Sequence, residues 1–294
     1  MNQQQFIDEV NGLSRITESE KRIAAYFIEH FMALPYARIN DLCREIGVGK
    51  ATLGRFLENL GFNGFMDFKK ALAEDMALVN QSPLQRFNEK SISLPENYNV
   101  NKDEDLLQID RHFDAVEQLL KQTMKAVDKQ ALQKAIDCLS NPKGKLYVIG
   151  SATAYSLALY FTLLGRYLKK DIILLDADIS TLPHRLANAN EDDVLLAISY
   201  YRFSSVTVRL VRWFYQQRGS TVVITDRETN PFSTCASALL VVQSQSTGLF
   251  NSRSSGFVLL EALVNYMAVK LGNELEDKFK PMEELFDELD VFCK

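Results

Sequence analysis

Residues 39–61 read INDLCREIGVGKATLGRFLENLG, and the pattern of this stretch decides the first half of the fold. Leu42, Cys43 and Ile46 recur at helical spacing and stop at Gly47. Leu53, Phe56, Leu57 and Leu60 do the same from about Lys50 onward, and Gly61 ends the run. Between the two predicted helices lie only Gly47, Val48 and Gly49. A glycine there admits the positive φ that lets two helices cross steeply over a tight turn, which is helix-turn-helix geometry. With its apolar residues inward, the second helix leaves Lys50, Ala51, Thr52 and Arg55 on its outer face near the N-terminal end. A helix so equipped lies in the major groove of DNA with its first residues at the base edges. Thr52 suits a phosphate or a thymine methyl, and Arg55 suits guanine or a phosphate. Arg44 and the pair Lys69–Lys70 add charge for the backbone. The alternative is a three-helix module for protein contacts, with these side chains solvated.

Upstream, Thr17-Glu18-Ser19-Glu20 is a capping box that opens a helix carrying Ile23, Ala24, Phe27, Ile28 and Phe31 on one face. Pro35 marks the break after it. Downstream, FNGFMDFKKALAEDM (62–76) predicts a further amphipathic helix. Residues 81–102 lose the periodicity, carry two prolines and many polar residues, and are expected to be a linker between domains at 1–80 and 103–294. The length of 294 residues agrees with two domains.

Beyond the linker the pattern changes. Two helical segments (from Asp103, and from Asp128) precede apolar runs at KLYVIG (145–150), DIILL (171–175), DVLLAIS (193–199), STVVIT (220–225) and ALLVV (238–242). Helical segments separate most of them. Continuous Val/Ile/Leu runs alternating with helices predict a five-stranded parallel sheet covered on both faces, an α/β doubly wound domain. In such domains ligands bind beyond the carboxyl ends of the strands.

Composition narrows the possibilities. A net charge of −5 argues against a protein that coats nucleic acid, yet leaves room for a local basic face. Cys43, Cys138, Cys235 and Cys293 stand far apart, as do His30, His112 and His184, so neither a disulfide framework nor a metal site is expected, nor any cofactor. No stretch approaches the roughly 20 continuous apolar residues of a membrane span, and the first residues lack a secretory pattern. A cytoplasmic location is expected.

The strings LSRITESEKRIAAYF (13–27) and ATLGRFLENLGFNGFMDFK (51–69) closely resemble the N-terminal domain of the RpiR family of bacterial regulators. The chain departs from it at Gly49, where a serine usually caps the recognition helix; glycine is a tolerable cap. The resemblance implies a regulator that binds operator DNA and carries a sugar isomerase (SIS) domain, a doubly wound fold that binds phosphosugars in many members. Two loops carry the binding chemistry of that domain. The first, often Gly-x-Gly-x-Ser, is here Gly150-Ser151-Ala152-Thr153-Ala154, with Ser151, Thr153 and Ser156 left to supply hydroxyls. The alternative for it is an ordinary strand–helix turn capped by Thr153. The second, Ser-x-Ser-Gly-x-Thr in many members, is here Ser199-Tyr200-Tyr201-Arg202-Phe203-Ser204-Ser205, which looks more like the Ser-Phe-Pro-Arg-Tyr-Ser version of a large branch of these regulators. Ser199, Ser204 and Ser205 keep hydroxyls, and Arg202 puts a cation where glycine stands, suited to phosphate or carboxylate. The alternative is a structural Arg202 paired with an acidic neighbour or a dimer partner. A third candidate is Phe250–Ser255, whose hydroxyls and Arg253 open a long apolar helix.

The expected ligand is therefore a small anionic metabolite, a phosphosugar or a sugar acid. An isomerase needs a base such as Glu or His. Glu261 and His184 are available, but neither has an identifiable partner, so an enzyme is not expected. A regulator whose SIS domain only dimerises is the remaining rival. At least a homodimer is expected, because paired half-sites need two reading helices, and the helix with Trp213 and Phe214 offers an interface.

Overall fold

The computed structural model describes residues 1, 3–13, 16–77, 102–141, 143–176, 178–245 and 250–292. Residues 81–101 of the expected linker lie outside the described residues, as does Cys293. The chain divides into two compact units.

The described residues of 1–77 fold as helices: α1 (Gln3–Gly12), α2 (Glu18–Glu29), a 3₁₀ turn at Phe31–Tyr36, α3 (Ile39–Ile46), α4 (Lys50–Asn59) and α5 (Phe65–Ala77). Thr17 caps α2 as its sequence predicts. The Glu20 carboxylate accepts from the Thr17 backbone N–H at 2.8 Å and from its hydroxyl at 2.7 Å. It also accepts from Asn59 Nδ2 at 3.1 Å, which ties the first turn of α2 to the end of α4. Phe6, Phe27, Phe31, Phe56 and Phe68 converge with Ile23, Leu42, Leu53 and Leu57 in one apolar core. Gly47, at φ 71°, ends α3 in the left-handed conformation, and Arg22 of α2 donates to its carbonyl.

The second unit begins with α6 (Lys102–Ala126) and α7 (Lys129–Leu139). The chain then alternates: β1 (Leu146–Gly150), α8 (Ala154–Gly165), β2 (Ile172–Leu175), α9 (Leu182–Leu186), β3 (Val194–Ile198), α10 (Ser205–Gln216), β4 (Ser220–Thr225), β5 (Ala238–Val241), α11 (Ser254–Leu271) and α12 (Leu275–Glu288). All neighbouring strands pair in parallel in the order β2-β1-β3-β4-β5. The five strands fall where the apolar runs predict them, each a residue or so shorter or equal.

Strand alternation explains the two-sided cover. Leu146 and Val148 of β1, Leu196 of β3, Val222 of β4 and Leu240 of β5 share a core with α7, α8 and α11. On the opposite face Tyr147 meets Phe214 of α10 edge-on at 5.9 Å. Phe214 is thus fully buried within its own domain, while Tyr215 on the same helix is exposed. At the other end of the sheet the backbone N–H of Gln243, just past β5, donates to the buried Thr123 hydroxyl at 2.9 Å and so anchors the last turns of α6.

Candidate functional site

Strand order fixes where a ligand crevice forms. In the order 2-1-3-4-5 the chain leaves β1 toward one edge and β3 toward the other, so their connections part and leave a cleft at the carboxyl ends. Gly150 ends β1 and Ile198 ends β3, and the two are register partners. The loops Gly150–Ala154 and Ser199–Ser205 therefore start side by side.

Gly150 is required by close approach: a Cβ there would lie 2.3 Å from the Ala154 carbonyl oxygen. Ser151 Oγ and Thr207 Oγ1 sit 3.2 Å apart, a hydrogen bond between the first loop and α10. Thr153 stands at the N-cap of α8, yet its side chain makes no capping bond. Its hydroxyl instead accepts from Arg253 Nε at 3.2 Å and Nη2 at 3.1 Å. Ser156 is spent on the Thr153 carbonyl at 2.8 Å. In the second loop Ser199 is buried, and Ser204 caps α10 by accepting from the Thr207 N–H. Ser205 opens α10 and is exposed, as is Arg202. Ala152 and Arg202 have φ of 52° and 66°. These are the two glycine positions of the common loop patterns at which this chain has another residue.

Arg253 is the cation that the fold draws inward. Besides its two bonds to Thr153, its guanidinium carbon lies 4.2 Å from the centroid of the Tyr200 ring, a stacked cation–π contact. Burial lowers its pKa, and Tyr200 and Asp226 oppose that shift. Burial, with Asp226 adding, pushes the Tyr200 phenol well above its ordinary range. Both Asp226 oxygens are engaged, one by the Tyr201 N–H at 2.7 Å and one by Ser244 Oγ at 2.7 Å. Tyr200, Asp226 and Ser244 escape a sequence reading because apolar and acidic residues at strand ends carry no local signature. Arg253 is visible only as one of several polar residues at a helix start. His184 and Glu261 do not converge: His184 is exposed on α9, and Glu261 is exposed and accepts from the Tyr160 hydroxyl at 2.8 Å.

In the first unit the outer face of α4 carries the expected set. Lys50, Ala51 and Arg55 are exposed and Thr52 is half-buried, while Leu53, Phe56 and Leu57 face the core. Gly49 precedes the helix in extended backbone and supplies no side-chain cap. Arg44, on α3, is exposed and pairs with Asp41 at 3.0 Å. Lys69 is turned to the domain itself. It donates to the Ala37 carbonyl at 3.1 Å, lies over the Phe65 ring, and has its pKa lowered by burial.

Fold and site together define a helix-turn-helix protein whose second part is a doubly wound domain with a polar crevice. Residues 7–78 match the rpiR-family helix-turn-helix domain, and residues 139–266 match the SIS domain. The chain belongs to the rpiR family and is a transcriptional regulator with a SIS domain. It is 26% identical over 274 residues to the uncharacterized HTH-type transcriptional regulator CPE0189 of Clostridium perfringens, covering 91% of this chain and 93% of that one. It is 21% identical over 281 residues to the HTH-type transcriptional regulator HexR of Escherichia coli, covering 94% and 92%. Among solved structures, NanR of Vibrio vulnificus complexed with ManNAc-6P superposes with a TM-score of 0.53 at 18% identity, over 98% of this chain and 99% of that one. The sugar isomerase domain of an RpiR transcription factor from Sphaerobacter thermophilus gives 0.56 at 20% identity over 60% and 98%.

Proposed function

We propose that this regulator binds operator DNA through α4 and is controlled by a small anionic metabolite, a phosphosugar or a sugar acid, held in the crevice between β1 and β3. The observation that carries the reading is the convergence of the Gly150–Ala154 and Ser199–Ser205 loops at the switch point of the sheet. Gly150, Ser151, Thr153, Ser199, Arg202, Ser204 and Ser205 are the proposed ligand residues. Hydroxyls, two helix N-termini and arginine suit an anion there. The NanR complex with ManNAc-6P supports the phosphosugar class. The relatives named as transcriptional regulators and the fused helix-turn-helix favour a sensor over an isomerase.

On the DNA side, Arg44, Lys50, Ala51, Thr52 and Arg55 are the proposed contacts, in a protein acting in the cytoplasm as a homodimer. Exposed Tyr155, Leu159 and Leu163 recur every four residues on α8 beside exposed Val258, Tyr266 and Val269 of α11, and this apolar stripe supports the dimer. Anisotropy titration of operator DNA tests the reading. Arg55→Ala is expected to cost about 1–3 kcal/mol of affinity if Arg55 reads a base. Wild-type affinity is expected to fall steeply with salt as phosphate contacts release counterions. Unchanged affinity in Arg55→Ala, or a flat salt response, speaks against α4 in the groove.

A further inference from the structure

Resting on the crevice as the metabolite site, the polar groups around Arg253 narrow the chemistry of the ligand. Arg253 commits Nε and Nη2 to Thr153, while its Nη1 is buried with no partner. Tyr200 is 5% exposed, and its hydroxyl has no partner. That hydroxyl lies 2.1 Å from where a Cβ on Gly256 would stand, so the phenol reaches the first turn of α11 and only glycine leaves it room. Ser255, on the same turn, is 2% exposed and its hydroxyl is also unpartnered. Buried polar groups are seldom left unpaired in folded proteins. Here three of them collect at the N-terminus of an 18-residue helix, the positive end of its dipole, which favours an anion.

Charge decides which anion. Asp226 acts on both Arg253 and Tyr200, and its two oxygens are taken by the Tyr201 N–H and the Ser244 hydroxyl, so the half-buried guanidinium already has an acidic neighbour. A phosphate dianion would bring two negative charges next to Asp226, whereas a carboxylate brings one. We propose that Arg253 holds the carboxylate of a polyhydroxy acid through Nη1, with the Tyr200 and Ser255 hydroxyls as further donors, so that the effector is a sugar acid. The carboxylate is held as an anion and no covalent step is involved.

Titration calorimetry and thermal shift on the full chain test this, using gluconate and glucuronate against glucose 6-phosphate, fructose 6-phosphate and inorganic phosphate. At least one of the two sugar acids is expected to bind, and more tightly than either hexose phosphate. Arg253→Met is expected to weaken it by 10-fold or more, and Tyr200→Phe, which keeps the ring under the guanidinium, by about 10-fold, as for a lost hydrogen bond to a charged group. Should Arg253→Met fail to fold, Tyr200→Phe decides. Wild-type affinity in the folded variants overturns the assignment of Arg253 and its neighbours. Binding of a hexose phosphate without either sugar acid overturns the carboxylate while sparing the anionic-metabolite reading. No binding by any of the five overturns both.

Discussion

Ala152 and Arg202 occupy left-handed backbone, at φ 52° and 66°, where an L side chain crowds its own carbonyl at a cost of about 1–2 kcal/mol. Strain of this size persists where the surroundings over-determine it, and it gathers at binding sites. Replacing either residue with glycine relieves the crowding but gives the unfolded chain more freedom, a loss of about 0.4–1 kcal/mol. The balance predicts that Ala152→Gly and Arg202→Gly each stabilise the protein, by about 0.5–1 kcal/mol in urea unfolding. A destabilised variant would mean that the side chain itself, and not the backbone angle, is what the loop needs. The same two positions show why the loops are only half legible in sequence. The glycine pattern they resemble encodes a backbone conformation, and here that conformation is kept with the glycines gone. What those loops face is not encoded nearby at all: the Thr153 hydroxyl meets Arg253 100 residues further on.

At the scale of elements, the strands were readable because a strand buried on both faces must be apolar throughout, and the helix-turn-helix because Gly47 and Gly61 end its two helices. The short α9 and the 3₁₀ turn at Phe31–Tyr36 were not, since neither is long enough to show a period. Pro35 lies inside that turn, after α2 has ended at Glu29. The capping box at α2 is a case where sequence and structure agree in detail, and it has a measurable pH signature. Hydrogen bonds from the Thr17 backbone, the Thr17 hydroxyl and Asn59 hold the Glu20 carboxyl below its ordinary pKa. A group depressed in the folded state contributes stability above its unfolded pKa, about 4.3 for glutamate, and loses it as pH falls through the lower folded value. Thr17→Ala is therefore expected to cost about 1 kcal/mol near neutral pH. The difference from wild type should shrink at pH below about 4, as Glu20 protonates in both proteins. A difference that stays constant to pH 3 would assign the effect to the cap on the Glu20 N–H and to packing, and not to the carboxylate.

For the whole molecule the question is how an event in the crevice is felt by the helix-turn-helix. A ligand shifts an equilibrium only by its unequal affinity for two states, so some contact must differ between them. The Ser244 hydroxyl holds Asp226 beside the crevice, and the neighbouring Gln243 N–H holds Thr123 near the end of α6. In sequence α6 is the first described helix after residues 78–101, which join it to the DNA-binding part. Thr123→Val, nearly isosteric, is expected to reduce the change in operator affinity on ligand binding by several-fold. Ligand affinity and ligand-free operator affinity should stay near wild type. An unaltered response would remove this bond from the coupling.

In the proposed homodimer, the anchoring of α6 at Thr123 has a consequence for two reading heads tied to one body. Once one head is on its half-site, the second finds its own at an effective concentration set by the reach of the connecting segments and by where they are rooted. A root that shifts with the strand-end loop alters that concentration without touching a single protein–DNA contact. Regulation of this kind acts on avidity, and a lone half-site would be blind to it.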